Sequence, residues 1–210
     1  MALGDLDRAK RKAVAAADAL GDADAAAATA MAPFSEALWL ERLADLGDQP
    51  QLRTLCVALI AAGAAAGRES RYGPRLLRAG VRMLIAHELA TIAKDFVKRR
   101  IDRTRPRALG RAGKHHRPEP GGKRAKEETS FPSGHAAGAA AAARAFAREF
   151  PGLGAAAAAA GGTLAFVQVP RCAHYPTDIG AGLAIGLAAE AALAALWPAD
   201  KRETDTCASC

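Results

Sequence analysis

Three short stretches of this 210-residue chain hold the residues that can do chemistry. The first is Ser130-Phe131-Pro132-Ser133-Gly134-His135, which closes a strongly basic loop and opens a long alanine-rich run. Pro132 has no backbone N–H to donate, so it suits the edge of a helix and not its interior. Ser133 is a good N-cap. The free N–H groups of a helix start, backed by the helix dipole, make an anion site. Gly134 lets a ligand approach that backbone closely. His135 then sits in the first turn, placed to hand a proton to whatever the helix start holds. This reads as a phosphate cradle with a general acid. An ordinary helix cap followed by a surface histidine has the same letters, so this stretch alone does not decide between the two.

The second stretch is Lys98 to Pro106. Lys98 and Arg105 are seven positions apart. That is two helical turns, which predicts one shared helix face with Pro106 as the stop. Two cations aimed at one place suit phosphate, because Arg grips two oxygens at once and Lys adds a point charge. The third stretch is Arg171-Cys172-Ala173-His174-Tyr175-Pro176-Thr177-Asp178. Pro176 and Thr177 mark a helix start, and Asp178 falls in its first turn. Asp178 can hold one imidazole nitrogen of His174 and leave the other as a nucleophile. A capped helix with a stray histidine is the plainer alternative.

In this order the three stretches resemble the phosphatidate phosphatase type 2 and vanadium haloperoxidase superfamily. Its pattern is Lys, six residues, Arg-Pro; then Pro-Ser-Gly-His; then Ser-Arg, five residues, His, three residues, Asp. Lys98 to Pro106 and Pro132 to His135 match in full, and His174 with Asp178 matches the end of the third motif. The resemblance covers about Ala79 to Leu196. The chain departs from it at Val167 and Gln168, which stand where the family has Ser-Arg. Arg171 is three positions before His174, so either Arg171 fills the third cation position or Gln168 supplies uncharged hydrogen bonds.

The resemblance implies roles. His174 attacks phosphorus and Asp178 orients it. Lys98, Arg105, Ser133 and Gly134 hold the phosphate oxygens, and Arg171 is the candidate for the third cation where the chain departs from the family. His135 protonates the leaving oxygen and later activates water. No cofactor or metal is implied, since protein cations neutralise the phosphate. His115 and His116 lack ligand-spaced partners and read as solvated.

The elements that must position these residues follow from composition. Half the chain is hydrophobic but only 5% is aromatic, and alanine supplies much of the rest. Strands need β-branched and aromatic residues, whereas alanine favours helix, so an all-α helical bundle is expected. Asp5 to Ala30 reads as a solvated alanine-rich helix, and Pro33 to Leu46 as an amphipathic segment. Thr54 to Gly67 is an uncharged run. Ala79 to Val97 is apolar but carries Arg82, His87, Glu88 and Lys94, which should face a bundle interior or polar cavity. Lys98 to Lys126 is the basic loop. Ser133 to Phe150, Ala155 to Val169 and Asp178 to Trp197 read as helices. The last two connections bring His135 and residues 170–178 to one end of the bundle. Three regions are expected: 1–50, helical and alanine-rich; 51–198, the bundle; 199–210, a polar tail. Cys56, Cys172, Cys207 and Cys210 do not form a disulfide framework for a chain this long. The Cys207-Cys210 pair reads as tail thiols.

A net charge of +7 suits anionic partners. Few aromatics and no recognisable motif argue against nucleic acid. The N-terminus does not read as a cleavable signal peptide. The resemblance implies a lipid phosphate or diphosphate monoester as substrate, with phosphatidate, phosphatidylglycerol phosphate and polyprenyl phosphates all open. It also implies a multi-pass protein of the bacterial inner membrane with its active site facing outside. That puts the basic loop outside, against the positive-inside tendency. The open alternatives are a soluble acid phosphatase, a vanadate-dependent haloperoxidase, and an anion-binding membrane protein whose site Gln168 has weakened.

Overall fold

Alanine sets the architecture. In a computed structural model of the protein, residues 3–109, 117–122 and 125–198 are described. They form helices α1 (Leu3–Met31), α2 (Leu38–Asp45), α3 (Gln49–Ala66), α4 (Gly73–Lys98), α5 (Gly134–Glu149), α6 (Gly154–Phe166) and α7 (Pro176–Leu196). The only sheet among the described residues is a two-residue antiparallel pair, β1 (Ile101–Asp102) with β2 (Glu119–Pro120). The all-α expectation holds.

Helix α5 is the axle. It packs against α4, α6 and α7, while α3 lies on α4. Its Ala136 to Ala142 and Ala145 are buried almost without exception. Such small side chains let backbones approach closely. On α7 the approach requires glycine: a Cβ at Gly182 would lie 2.4 Å from the Ser133 carbonyl oxygen, and one at Gly186 would lie 2.3 Å from that of Ala137. The α5–α7 seam therefore starts at the helix end that carries Ser133.

Charged residues on the apolar helices tie the far end of the bundle. Arg82 on α4 is buried, with Nε 2.8 Å from Glu149 Oε1 on α5 and its guanidinium over the Trp197 ring. Arg148 on α5 pairs with buried Glu190 on α7. Arg82, His87 and Lys94 face inward. Glu88 is part-exposed and pairs with Arg53 on α3.

Two expectations are corrected. Lys98 and Arg105 do not share a helix face, because α4 ends at Lys98 and Arg105 is extended, with φ −64 and ψ 146. The chain turns at Arg99 and Arg100, pairs with β2, and is stitched to the loop end by Arg103 N–H to Glu128 O and Arg105 N–H to Glu127 O. The first helix is also not wholly solvated. Its second half docks through Gly21, Asp24 and Ala28, and the Ala28 carbonyl accepts from Cys172 Sγ. The readings of His115, His116, Cys207 and Cys210 fall outside the described residues.

Candidate active site

His174 is positioned by a turn. After α6 the chain loops back, with Cys172 in the left-handed region at φ 51. The Gln168 carbonyl accepts from the N–H groups of both Ala173 and His174. His174 is thereby fixed just before α7 and is 2% exposed. Its Nδ1 lies 3.6 Å from Asp178 Oδ2, an ion-pair distance longer than a hydrogen bond. Its other ring nitrogen is left for chemistry.

Asp178 is held from three sides. Its Oδ1 accepts from Arg103 Nη1 at 2.6 Å. Its Oδ2 accepts from Ser130 Oγ at 2.5 Å and from the Tyr175 N–H at 2.9 Å. Arg103 is itself buried. It stacks on the Tyr175 ring at 3.9 Å and donates through Nη2 to Asp24 on α1 at 2.6 Å. Asp24 also accepts from the Thr177 N–H. The chain Asp24, Arg103, Asp178, His174 thus fixes the base behind the imidazole.

The start of α5 meets the start of α7. Ser133 caps α5, its Oγ accepting from the Ala136 N–H at 3.4 Å. Its own N–H is spent on the Asp178 carbonyl at 3.0 Å. The anion-facing N–H groups are therefore those of Gly134 and His135, which have no acceptor within the helix. His135 Nε2 lies 2.7 Å from Asp48 Oδ1, at the turn before α3.

These parts share one cavity of about 350 Å³, lined by Gly47, Asp48, Lys94, Lys98, Arg105, Gly134, His135 and His174 among others. Arg105 is anchored by Nε to the Lys126 carbonyl and by Nη1 to the Ala173 carbonyl. Of the residues singled out in the sequence, Lys98, Arg105, Gly134, His135 and His174 come together here, with Ser133 and Asp178 directly behind them. Arg171 does not line this cavity. It borders a larger one of about 840 Å³ next to it and donates to Gln168 Oε1 at 3.5 Å.

Four residues of this arrangement escaped the sequence reading as site residues: Lys94, Arg103, Asp24 and Asp48. Lys94 gave a signal, as a charge inside an apolar run. Arg103 was one of many cations in a basic loop. Asp24 and Asp48 lie far away in sequence and reach the site only through docking.

The site is rich in positive charge, and its titratable groups are largely buried. Burial pushes the His174 imidazole down to about 4, partly offset by Asp178, so the ring is neutral at ordinary pH. Burial, then Arg105 and Lys94, push the Lys98 ammonium down to about 7. Burial and Arg107 bring Arg105 to about 10. A lysine is cationic below its pKa, so Lys98 is charged below pH 7 and loses its proton above it. Inorganic phosphate inhibition is therefore expected to weaken above pH 7, by up to about tenfold per pH unit. An inhibition constant that stays flat from pH 6 to 9 would contradict this.

Two histidines and the cations Lys98 and Arg105 lining one cavity are groups suited to phosphoryl transfer. No curated protein and no solved structure matches the chain. The model of the PAP2 superfamily matches residues 76–202, over half of the chain, and such membership suggests phosphatase-type activity. With the motifs and the shared cavity, this match places the chain in the PAP2 superfamily.

Proposed function

We propose that the protein hydrolyses a lipid phosphate or diphosphate monoester through a phosphohistidine intermediate, without a metal ion. The observation that carries this reading is the opening of His174, braced by Asp178, onto the cavity that also holds Lys98, Arg105 and His135. His174 attacks phosphorus, and the bond to the leaving oxygen breaks as His135 gives that oxygen a proton. Water then attacks the phosphohistidine and yields its proton to His135, releasing inorganic phosphate and free His174. Lys98, Arg105 and the N–H groups at the α5 start stabilise the equatorial oxygens throughout. Asp48 holds His135 in place. Arg171 adds positive charge from the neighbouring cavity, close enough to be felt by Arg105 and His135.

A lipid substrate is supported by the surface. Helix α7 has 21 residues with a mean hydropathy of 1.9, and it is the one helix among the described residues long and apolar enough to cross a membrane. On α4, Ile85, Leu89, Ile92 and Phe96 recur every three or four residues and are all exposed, so they form one outward apolar stripe. The stripe stops at Phe96, two residues before Lys98, which lines the cavity.

The test is phosphate release from phosphatidate, phosphatidylglycerol phosphate and a polyprenyl diphosphate, in detergent, with chelator present. Release that survives the chelator and is blocked by vanadate is the expected result. Release from water-soluble phosphate esters but from none of the lipids would overturn the lipid reading. Loss of all release on chelation would overturn the metal-independent one. Extraction of the protein should require detergent, and active protein in a high-speed supernatant without it would contradict membrane residence.

A further inference from the structure

The PAP2 pattern places an arginine where this chain has Gln168, so one cation is missing from the phosphate site. Charge on a transferring phosphoryl group spreads over three equatorial oxygens. Lys98 and Arg105 supply two cations. The structure offers a third from an unexpected direction.

Lys94 lies on α4 one turn before Lys98, on the same face. It is 8% exposed, and it lines the cavity with Lys98, Arg105, His135 and His174. Its stem crosses the start of α5: Cε is 3.3 Å and Nζ 3.7 Å from where a Cβ on Gly134 would stand. A larger residue at 134 would push against this stem. The ammonium therefore sits beside the N–H groups that would receive an anion. Burying a lysine is costly unless its charge is used. Nζ meets Asp95 Oδ1 at 2.6 Å, with the Asp95 side chain 41% exposed. An exposed partner of that kind contributes little, and an ammonium has three donors, so it can keep Asp95 and still bind phosphate.

The residues proposed from the sequence fit the vacancy less well. Gln168 is uncharged; its backbone carbonyl holds the turn at His174, and its side-chain Oε1 accepts from Arg171. Arg171 leans on Gln168 from the neighbouring cavity. We propose that Lys94 is the third phosphate-binding cation of this site, replacing in function the family arginine that Gln168 displaces. The inference rests on the phosphatase reading above.

The groups facing that phosphate are Lys94 and Lys98 from α4, Arg105 from the loop, His135 from α5, His174 from the turn before α7, and Asp48 from the turn before α3. Removing the Lys94 charge relieves Lys98 of a repulsion, so Lys98 should keep its proton to higher pH.

The test uses inorganic phosphate as probe on the full-length protein in detergent. Lys94→Met keeps an apolar stem and removes the charge. It should weaken phosphate binding by roughly tenfold to a hundredfold. The pH at which the remaining binding falls off should rise above that of the parent. Arg171→Ala and Gln168→Ala should each weaken binding less than Lys94→Met does. Lys94→Arg should retain more binding than Lys94→Met, showing that charge matters. Thermal melts of each variant identify any loss that is merely unfolding. Where Lys94→Met fails to fold, Lys94→Arg and Lys94→Gln carry the comparison. Equal binding by parent and Lys94→Met, or a larger loss at Arg171 or Gln168, overturns the proposal. A parent that binds no phosphate and cleaves no phosphate ester overturns the phosphatase reading instead.

Discussion

Replacing His174 with alanine removes turnover by roughly four to six orders of magnitude, the usual consequence of deleting a covalent nucleophile. The reason is positional. Among the described residues, His174 lines the cavity and pairs with Asp178 behind it. The fold should survive, because His174 belongs to a turn whose hydrogen bonds run through the backbone to the Gln168 carbonyl. Circular dichroism should show the parent helix content alongside the lost activity. Retention of more than about a hundredth of parent turnover would remove His174 from the reaction, since that loss is only about 2.7 kcal/mol of barrier.

The second large effect falls on a residue that touches no phosphate. Arg103→Ala leaves two buried carboxylates, Asp24 and Asp178, without the guanidinium that bridges them. Removing one partner of a buried ion pair costs about 3–5 kcal/mol. For a chain of this size that corresponds to a fall in Tm of roughly 6–20 °C. Activity should fall as well, because Asp178 is no longer aimed at His174. Arg103→Lys keeps the charge but lacks the fork that reaches both carboxylates, so it should fall between the parent and Arg103→Ala. The double variant Arg103→Ala with Asp24→Asn should recover part of the lost stability, because it also removes one stranded charge. Thermal melts of the four proteins decide it: a Tm for Arg103→Ala within 2 °C of the parent would contradict the bracing role.

The parts of the site that were legible in the sequence are those whose spacing is local. His174 and Asp178 are one helical turn apart at a proline-marked helix start, and Ser133 to His135 are consecutive, so local geometry and sequence agree. The Lys98–Arg105 pair was legible by type but not by geometry. Helical spacing was assumed through Arg99 to Thr104, whereas backbone pairing with Glu127 and Glu128 turns that segment into an extended strap. Both cations still reach one cavity, because the strap brings Arg105 back over the α4 end. Asp24 and Asp48 were illegible for a different reason. Each is an ordinary acid in a mixed-charge or turn segment, and only the docking of α1 on α7 and of the α3 start on α5 gives it a partner. The family pattern matches from residue 76 onward, so neither acid falls within it. The all-α bundle was legible because alanine both favours helix and permits the close α5–α7 seam.

The phosphohistidine itself is the most direct measurement. The parent protein is mixed with a substrate labelled with radioactive phosphorus in the transferable phosphate, then quenched within milliseconds in alkaline denaturant, which preserves phosphohistidine. Digestion and peptide mapping then locate the label. It should be found on His174, at up to one phosphoryl group per chain, and be absent from His174→Ala. Label on any other residue, or labelling of His174→Ala at the parent level, would contradict the mechanism.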